Sequence, residues 1–138
     1  MLLNNFFSIR SVQRDDTVNL KNNPVTRYRV DIHLDVSHSI FQGHFPGNPV
    51  VPGVCQIHMI TETLSEILGN RLFLTWADNV KFLSMINPVE NPDIYLELIL
   101  LQNIEENVTA SLGFQDKIFL KFKGIFKTSL NVAESNAN

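Results

Sequence analysis

The sequence predicts an α+β fold in which an antiparallel sheet wraps around one long central helix. Three observations lead there: a strictly alternating segment over 26–36, a helix-periodic apolar stretch over 53–68, and a second half dense in strand signals. With 138 residues the chain is the size of a single domain, 1–138, able to bury a core around one helix.

Taken in order, Tyr28, Val30, Ile32, Leu34 and Val36 alternate with Arg27, Arg29, Asp31, His33 and Asp35. A period of two describes a strand with one buried and one wet face, and puts His33 on the wet side. From Gly53 to Leu68 there is no internal Pro or Gly, and Val54, Ile57, Ile60, Thr61, Leu64 and Leu68 recur at spacings of three and four. That is the periodicity of a packed helix. Pro52 suits its first turn and Gly69-Asn70 its end. The helix is apolar enough to be largely buried, so Gln56, His58, Glu62 and Ser65 all need a destination.

Beyond it, 72–85 carries β-branched and aromatic residues, N-P-V-E-N-P over 87–92 reads as a turn, and strands follow in D-I-Y-L-E-L-I-L-L-Q, V-T-A-S-L-G-F and K-I-F-L-K-F-K-G-I-F-K. In the last, Ile118, Leu120 and Phe122 alternate with Phe119, Lys121 and Lys123, and Gln115-Asp116 makes a hairpin turn with the strand before it. Five or six strands are expected, with a polar tail from about 130 that frays.

Hydrophobic residues make up 44% and charged residues 18%, with a net charge of −3, a poor match to nucleic acid or an anionic membrane. No apolar run reaches the roughly 20 residues of a membrane-spanning helix. The N-terminus lacks the basic region and cleavage site of a secretory signal, which leaves a cytoplasmic location as the expectation. The single cysteine, Cys55, excludes an intrachain disulfide. Near a helix start a thiolate is favoured, but the sequence offers Cys55 no dedicated partner, and it reads as a small buried hydrophobe. The four histidines lack metal-ligand spacing and there is no C-x-x-C, so no metal is expected; the glycines are not in a phosphate-cradling pattern.

The most specific stretch is F-Q-G-H-F-P-G-N-P-V-V-P-G-V, residues 41–54. It holds His44 in a loop stiffened by Pro46, Pro49 and Pro52, directly before the helix. Stiffening lowers the cost of ordering the imidazole. Gly53 and Val54 open the helix, where backbone N–H groups without helical partners and the positive end of the dipole face outward. A carbonyl placed there would be polarised, and glycine at 53 lets it come close.

This stretch resembles the signature of the hot-dog-fold (3R)-hydroxyacyl-acyl carrier protein dehydratases. The resemblance is densest over 38–54 and continues more weakly through V-K-F-L-S-M-I-N-P-V and K-F-K-G-I-F. It implies a hot-dog fold and a lyase that removes water from a hydroxyacyl thioester, in fatty-acid or related polyene or polyketide synthesis. His44 would then be the catalytic histidine, the amides at Gly53 and Val54 would hold the substrate carbonyl, and Phe45, Pro46, Gly47, Pro49 and Pro52 would form the scaffold. It also implies no cofactor beyond the phosphopantetheine arm of an acyl carrier protein, which is the expected partner. A homodimer or higher oligomer would have the histidine of one subunit facing the helix of the other. A mixed dimer with a paralogue fits the same pattern. Because carrier and chain are both acidic, docking would need a local basic patch. Arg71, Lys81, Lys121 and Lys123 are the candidates, with ordinary surface cations as the competing reading.

The pattern breaks at the second catalytic position. Where the family carries Glu or Asp this chain has His58, and where it usually carries Gln one turn later the chain has Glu62. The i, i+4 spacing puts both on one helix face. Three readings stand. Glu62 holds His58 protonated as the acid; Glu62 is itself the acid, with His58 orienting; or the acid is lost, and the protein is a non-catalytic acyl-binding or partner subunit. A hot-dog thioesterase is a further alternative, less well matched by the motif.

Overall fold

The computed structural model describes residues 3–17, 19–43, 47, 49–101 and 104–128. In chain order the elements are β1 (Phe7–Asp15), β2 (Asn19–Leu20), β3 (Asn23–Leu34), α1 (Ile40–Gly43), α2 (Gly53–Leu68), β4 (Leu72–Phe82), β5 (Asp93–Leu101), β6 (Ile104–Phe114) and β7 (Lys117–Thr128). The sheet runs β1-β3-β5-β6-β7-β4 with every described pair antiparallel, and the two-residue β2 pairs with β3. The edges are therefore β1 and β4. The tail expected to fray lies outside the described residues.

Registration explains the core. Val30, Leu96, Leu112 and Leu120 stand opposite one another across four strands, as do Tyr28, Leu98, Ala110 and Phe122. All are buried, and α2 adds Cys55, Met59, Ile60 and Leu64 to the same cluster. Fully burying each such aliphatic side chain stabilises the fold by about 1.5–3 kcal/mol, so the helix is held chiefly by this stripe. Among the described residues no helix is long and apolar enough to cross a membrane.

The central helix spans the residues that the periodicity marks. Pro52 stands at its N-cap rather than inside the first turn, with φ −59° and ψ 148°. Gly69 closes it in the left-handed conformation, φ 72°, donating its N–H to the Ser65 carbonyl at 3.0 Å.

Several expectations change. The described residues form seven strands rather than five or six, and β1 is an addition to those expected. β3 begins at Asn23 and stops at Leu34, so Val36 is 47% exposed instead of joining the buried face. The stop is chemical: Asp35 Oδ1 accepts from the Ser37 amide at 3.0 Å and from Ser37 Oγ at 2.6 Å, turning the chain out of the sheet. In β7, Phe119 does not share the lysine face. The register passes from Leu112–Leu120 to Gly113–Ile118, making Phe119 the extra residue of a β-bulge. The bulge turns its ring into the core, fully buried beside Leu120, and its carbonyl accepts from the amides of Leu83 at 2.8 Å and Ser84 at 3.3 Å. That pair of bonds ties the end of β4 to β7. The 87–92 turn forms as expected, with Asn87 Oδ1 accepting from the Val89 amide at 2.9 Å.

Candidate active site at the amino end of the central helix

The segment entering the helix is held by hydrogen bonds at both backbone groups of Val51. The Val51 amide donates to the Ile86 carbonyl at 2.9 Å, fastening the segment before the helix to the one after β4. The Gln56 side-chain amide, one turn inside the helix, donates back to the Val51 carbonyl at 3.1 Å. Gln56 is 3% exposed, so this buried clamp sets the angle at which Pro52 delivers the chain into α2. Helical periodicity alone does not give Gln56 this destination. Only its place five residues after an extended Val51 hints at the fold-back.

The first intrahelical bond runs from the Gln56 amide to the Pro52 carbonyl at 3.1 Å, and among the described residues no side chain caps the amino end of the helix. The amides of Gly53, Val54 and Cys55 precede that bond, so the helix itself does not use them. Gly53 is half-buried, and the Phe82 ring covers it so closely that a Cβ there would lie 2.8 Å from Phe82 Cζ. Val54 is 63% exposed. The result is a donor-rich helix start with an aromatic wall on one side and open access on the other.

His58 is exposed and Glu62 half-buried. His58 follows the exposed Val54 by one turn, whereas Glu62, seven residues after Cys55 and three after Met59, lies at the border of the buried stripe. Cys55 is buried, and burial pushes its thiol pKa up, which leaves it protonated and poorly nucleophilic at neutral pH.

His44, Phe45 and Pro46 lie outside the described residues. Their flanks are described. The one-turn helix α1 ends at Gly43, immediately before His44. It is seated by the Phe41 ring packing 5.2 Å from that of Phe6 and by the Ile40 amide donating to His38 Nδ1 at 3.2 Å. On the far side Gly47 adopts φ +83°, a left-handed conformation that favours glycine. Pro49 follows, half-buried, leading into Val51 and Pro52. His33, expected on the wet strand face, is bound there through Nδ1 to Asp93 Oδ1 at 2.7 Å, and His38 stacks edge-on against Phe6. Both have local structural partners.

An antiparallel sheet packed around one long helix defines a hot-dog-fold protein. The solved dehydratase heterocomplex ApeI:P from Xenorhabdus doucetiae superposes with a TM-score of 0.62 at 20% identity, over 83% of this chain and 93% of that one. A putative thioesterase, yhdA from Lactococcus lactis, superposes at 0.58 and 11% identity over 89% and 93%. At these identities the likeness is one of fold. The ApeI-like family model, described as ApeI dehydratase, matches residues 20–118, and the chain belongs to that family. It is 28% identical to the 3-hydroxyacyl-[acyl-carrier-protein] dehydratase FabZ of Levilactobacillus brevis over 121 residues, 81% of this chain and 79% of that protein. To the FabZ of Caulobacter vibrioides it is 34% identical over 109 residues, 72% of this chain and 60% of the relative.

Proposed function

We propose that this protein removes water from a 3-hydroxyacyl thioester carried on acyl carrier protein, forming the trans-2-enoyl thioester. One observation carries the reading: within a dehydratase family, the start of the central helix holds amides unused by the helix at Gly53 and Val54, directly after the loop that carries His44. The thioester carbonyl accepts from these amides, and the helix dipole lowers the energy of the enolate-like charge that develops on it. His44 takes the α-proton. The C–H electron pair becomes the new double bond, the β-carbon–oxygen bond breaks, and the departing hydroxyl leaves as water after receiving a proton from the acid. His58, supported by Glu62, supplies that proton.

The exposed position of His58 fits a site completed by a second chain. Val54, Phe82, Leu83 and Met85 are large apolar residues exposed by more than half around the helix start and the end of edge strand β4. An open apolar sheet edge of this kind is a liability unless covered. We assign it to a dimer contact, which brings His44 of one copy toward His58 of the other.

The second reading, a partner subunit without its own activity, is favoured by His58 itself, which stands where the resemblance calls for a carboxylate. Mass spectrometry of carrier-bound 3-hydroxyacyl chains tests both. Loss of one water with the wild-type protein, reduced by His58→Glu, supports the imidazole as acid. No loss with the wild type and a gain with His58→Glu would establish the inactive partner.

A further inference from the structure

The segment between β3 and the end of α1 is fastened residue by residue. The Asp35 amide donates to the Phe6 carbonyl at 2.9 Å, the His38 amide to the Asp35 carbonyl at 3.2 Å, and the Phe41 amide to the His38 carbonyl at 3.1 Å. The Ile40 amide donates to His38 Nδ1 at 3.2 Å. The first two amides of α1 therefore both end on His38, one on its ring and one on its carbonyl. The first four amides of any helix lack partners within it, and α1 has only four residues, so its place depends on such outside acceptors. The half-buried His38 ring also stands edge-on to the fully buried Phe6, with centroids 5.5 Å apart and planes at 84°.

The bond to the ring carries a chemical condition. A ring nitrogen accepts only through its lone pair, so Nδ1 bears no proton in this geometry and the ring is neutral, protonated at Nε2. An imidazolium has N–H on both nitrogens. In that form Nδ1–H and the Ile40 N–H would point at each other, and the ring must turn away. A destination for the charged ring lies close by. Asp35 is an exposed carboxylate held below its ordinary pKa first by the Ser37 hydroxyl and amide, with His38 and His33 adding to the effect when charged. The other segments bonded to His38 or stacked on it bring no charge: residues 3–7 are L-N-N-F-F and α1 is I-F-Q-G. His33 is itself engaged by Asp93 at 2.7 Å.

We propose that His38 is a positioning residue whose neutral ring caps α1, setting where the chain leaves for His44, and whose protonation releases that cap as pH falls. The inference rests on the proposed function for its effect on turnover, and adds a pH-dependent hold on that same site. Gly43, the last residue of α1, directly precedes His44, so a shift of α1 is passed straight to the residue that takes the α-proton. Histidine changes charge between about pH 8 and pH 5, so the cap is complete at the upper end of that range and lost toward the lower.

The test uses full-length, isotope-labelled protein together with His38→Asn and His38→Phe. Asparagine offers a side-chain oxygen to the amide two residues on at every pH, and phenylalanine offers no acceptor at any. Nuclear magnetic resonance follows the Ile40 amide and the His38 ring from about pH 8 to about pH 5. In the wild type the Ile40 signal is expected to move in step with the ring, and in His38→Asn to stay in place. Turnover of a carrier-bound 3-hydroxyacyl thioester is followed over the same range, each protein being compared with itself. On acidification the wild type should lose about two- to tenfold more activity than His38→Asn, the worth of one hydrogen bond, in kcat rather than KM. His38→Phe should already run at the reduced level at the upper end of the range. An Ile40 signal that ignores the ring titration, or that moves equally in His38→Asn, would overturn the cap. Coupled signals with identical turnover profiles in the wild type and His38→Asn would overturn the positioning role. Coupled signals without turnover by any of these proteins would uphold the cap and refute the dehydratase reading, so the two fail separately.

Discussion

Replacing Gly53 with alanine separates access to the helix start from stability of the helix. The added Cβ would meet Phe82 Cζ at 2.8 Å and the neighbouring ring carbons at 3.0 and 3.3 Å. Ordinary carbon–carbon contact is roughly 3.5–4.0 Å, so the ring edge must retreat by about 1 Å. It can do so, because Phe82 is 52% exposed and every clash is with its side chain. Alanine is also the better helix former, by up to about 1 kcal/mol in a helix interior. The two effects oppose each other, and Gly53→Ala should unfold within about 1 kcal/mol of wild type in urea. Catalysis should respond differently. Misplacing a positioning group by about 1 Å can cost roughly a hundredfold in rate. A drop in dehydration of that order is expected, partly restored by Phe82→Leu in the Gly53→Ala background as the shorter side chain relieves the crowding. A double-mutant cycle on kcat/KM measures the coupling. Wild-type activity in Gly53→Ala, or a loss that Phe82→Leu leaves untouched, would refute the idea that the ring and the glycine shape access to the amides.

Three further outcomes follow from other parts of the fold. At Gly113, a Cβ would press on the Tyr95 ring and lie 2.7 Å from the backbone carbonyl of Lys117, which cannot swing aside. With Arg29 stacked 3.8 Å from the ring centroid above, Gly113→Ala should lower stability by about 1–3 kcal/mol, read as a shift of the urea midpoint; an unshifted midpoint would contradict the packing. Asp35 is held below the ordinary carboxylate pKa of 3.8 by hydrogen bonds from the Ser37 hydroxyl and amide. A lowered folded pKa means a contribution that is complete above the ordinary value and lost as pH falls through the lowered one. Melting temperature should therefore fall less steeply for Asp35→Asn than for wild type below about pH 4, and superimposable curves would exclude this linkage. Leu64→Ala, at a fully buried helix position, should cost about 2–5 kcal/mol by thermal or urea unfolding, and a loss under 1 would show that the stripe is not what holds α2.

The parts of the fold legible in the sequence are those where one local rule dominates. The central helix is bracketed by Pro52-Gly53 and by Gly69, and its buried stripe recurs at helical spacing, so it reads correctly from end to end. β3 reads well because one face is wholly buried. β1, by contrast, exposes most of its residues along an open edge, so burial selects no alternation in F-S-I-R-S-V-Q-R-D for a reader to find. β4 is blurred by bulges at Thr75 and Asp78, and Phe119 by another in β7. A bulge resets the period of two without leaving a mark in composition. At the site, the shared face of His58 and Glu62 follows from i, i+4 spacing alone. The Gln56 clamp depends on an extended segment folding back over the helix, and the closeness of Phe82 to Gly53 depends on how β4 meets that helix. Neither is written in any local pattern. That Lys81 of β4 and Lys121 of β7, 40 residues apart in sequence, stand opposite each other becomes visible only once the register is known.

If the proposed function holds, His44 and the start of the central helix together perform a dehydration. The most direct measurement is ultraviolet absorbance of the conjugated enoyl thioester as purified protein meets carrier-bound 3-hydroxyacyl substrate, run beside His44→Ala. A rising signal is expected with the native protein, abolished in His44→Ala while the variant's unfolding curve stays that of the wild type. A signal that survives the loss of His44, or none across short, medium and long chains with the native protein, would contradict it.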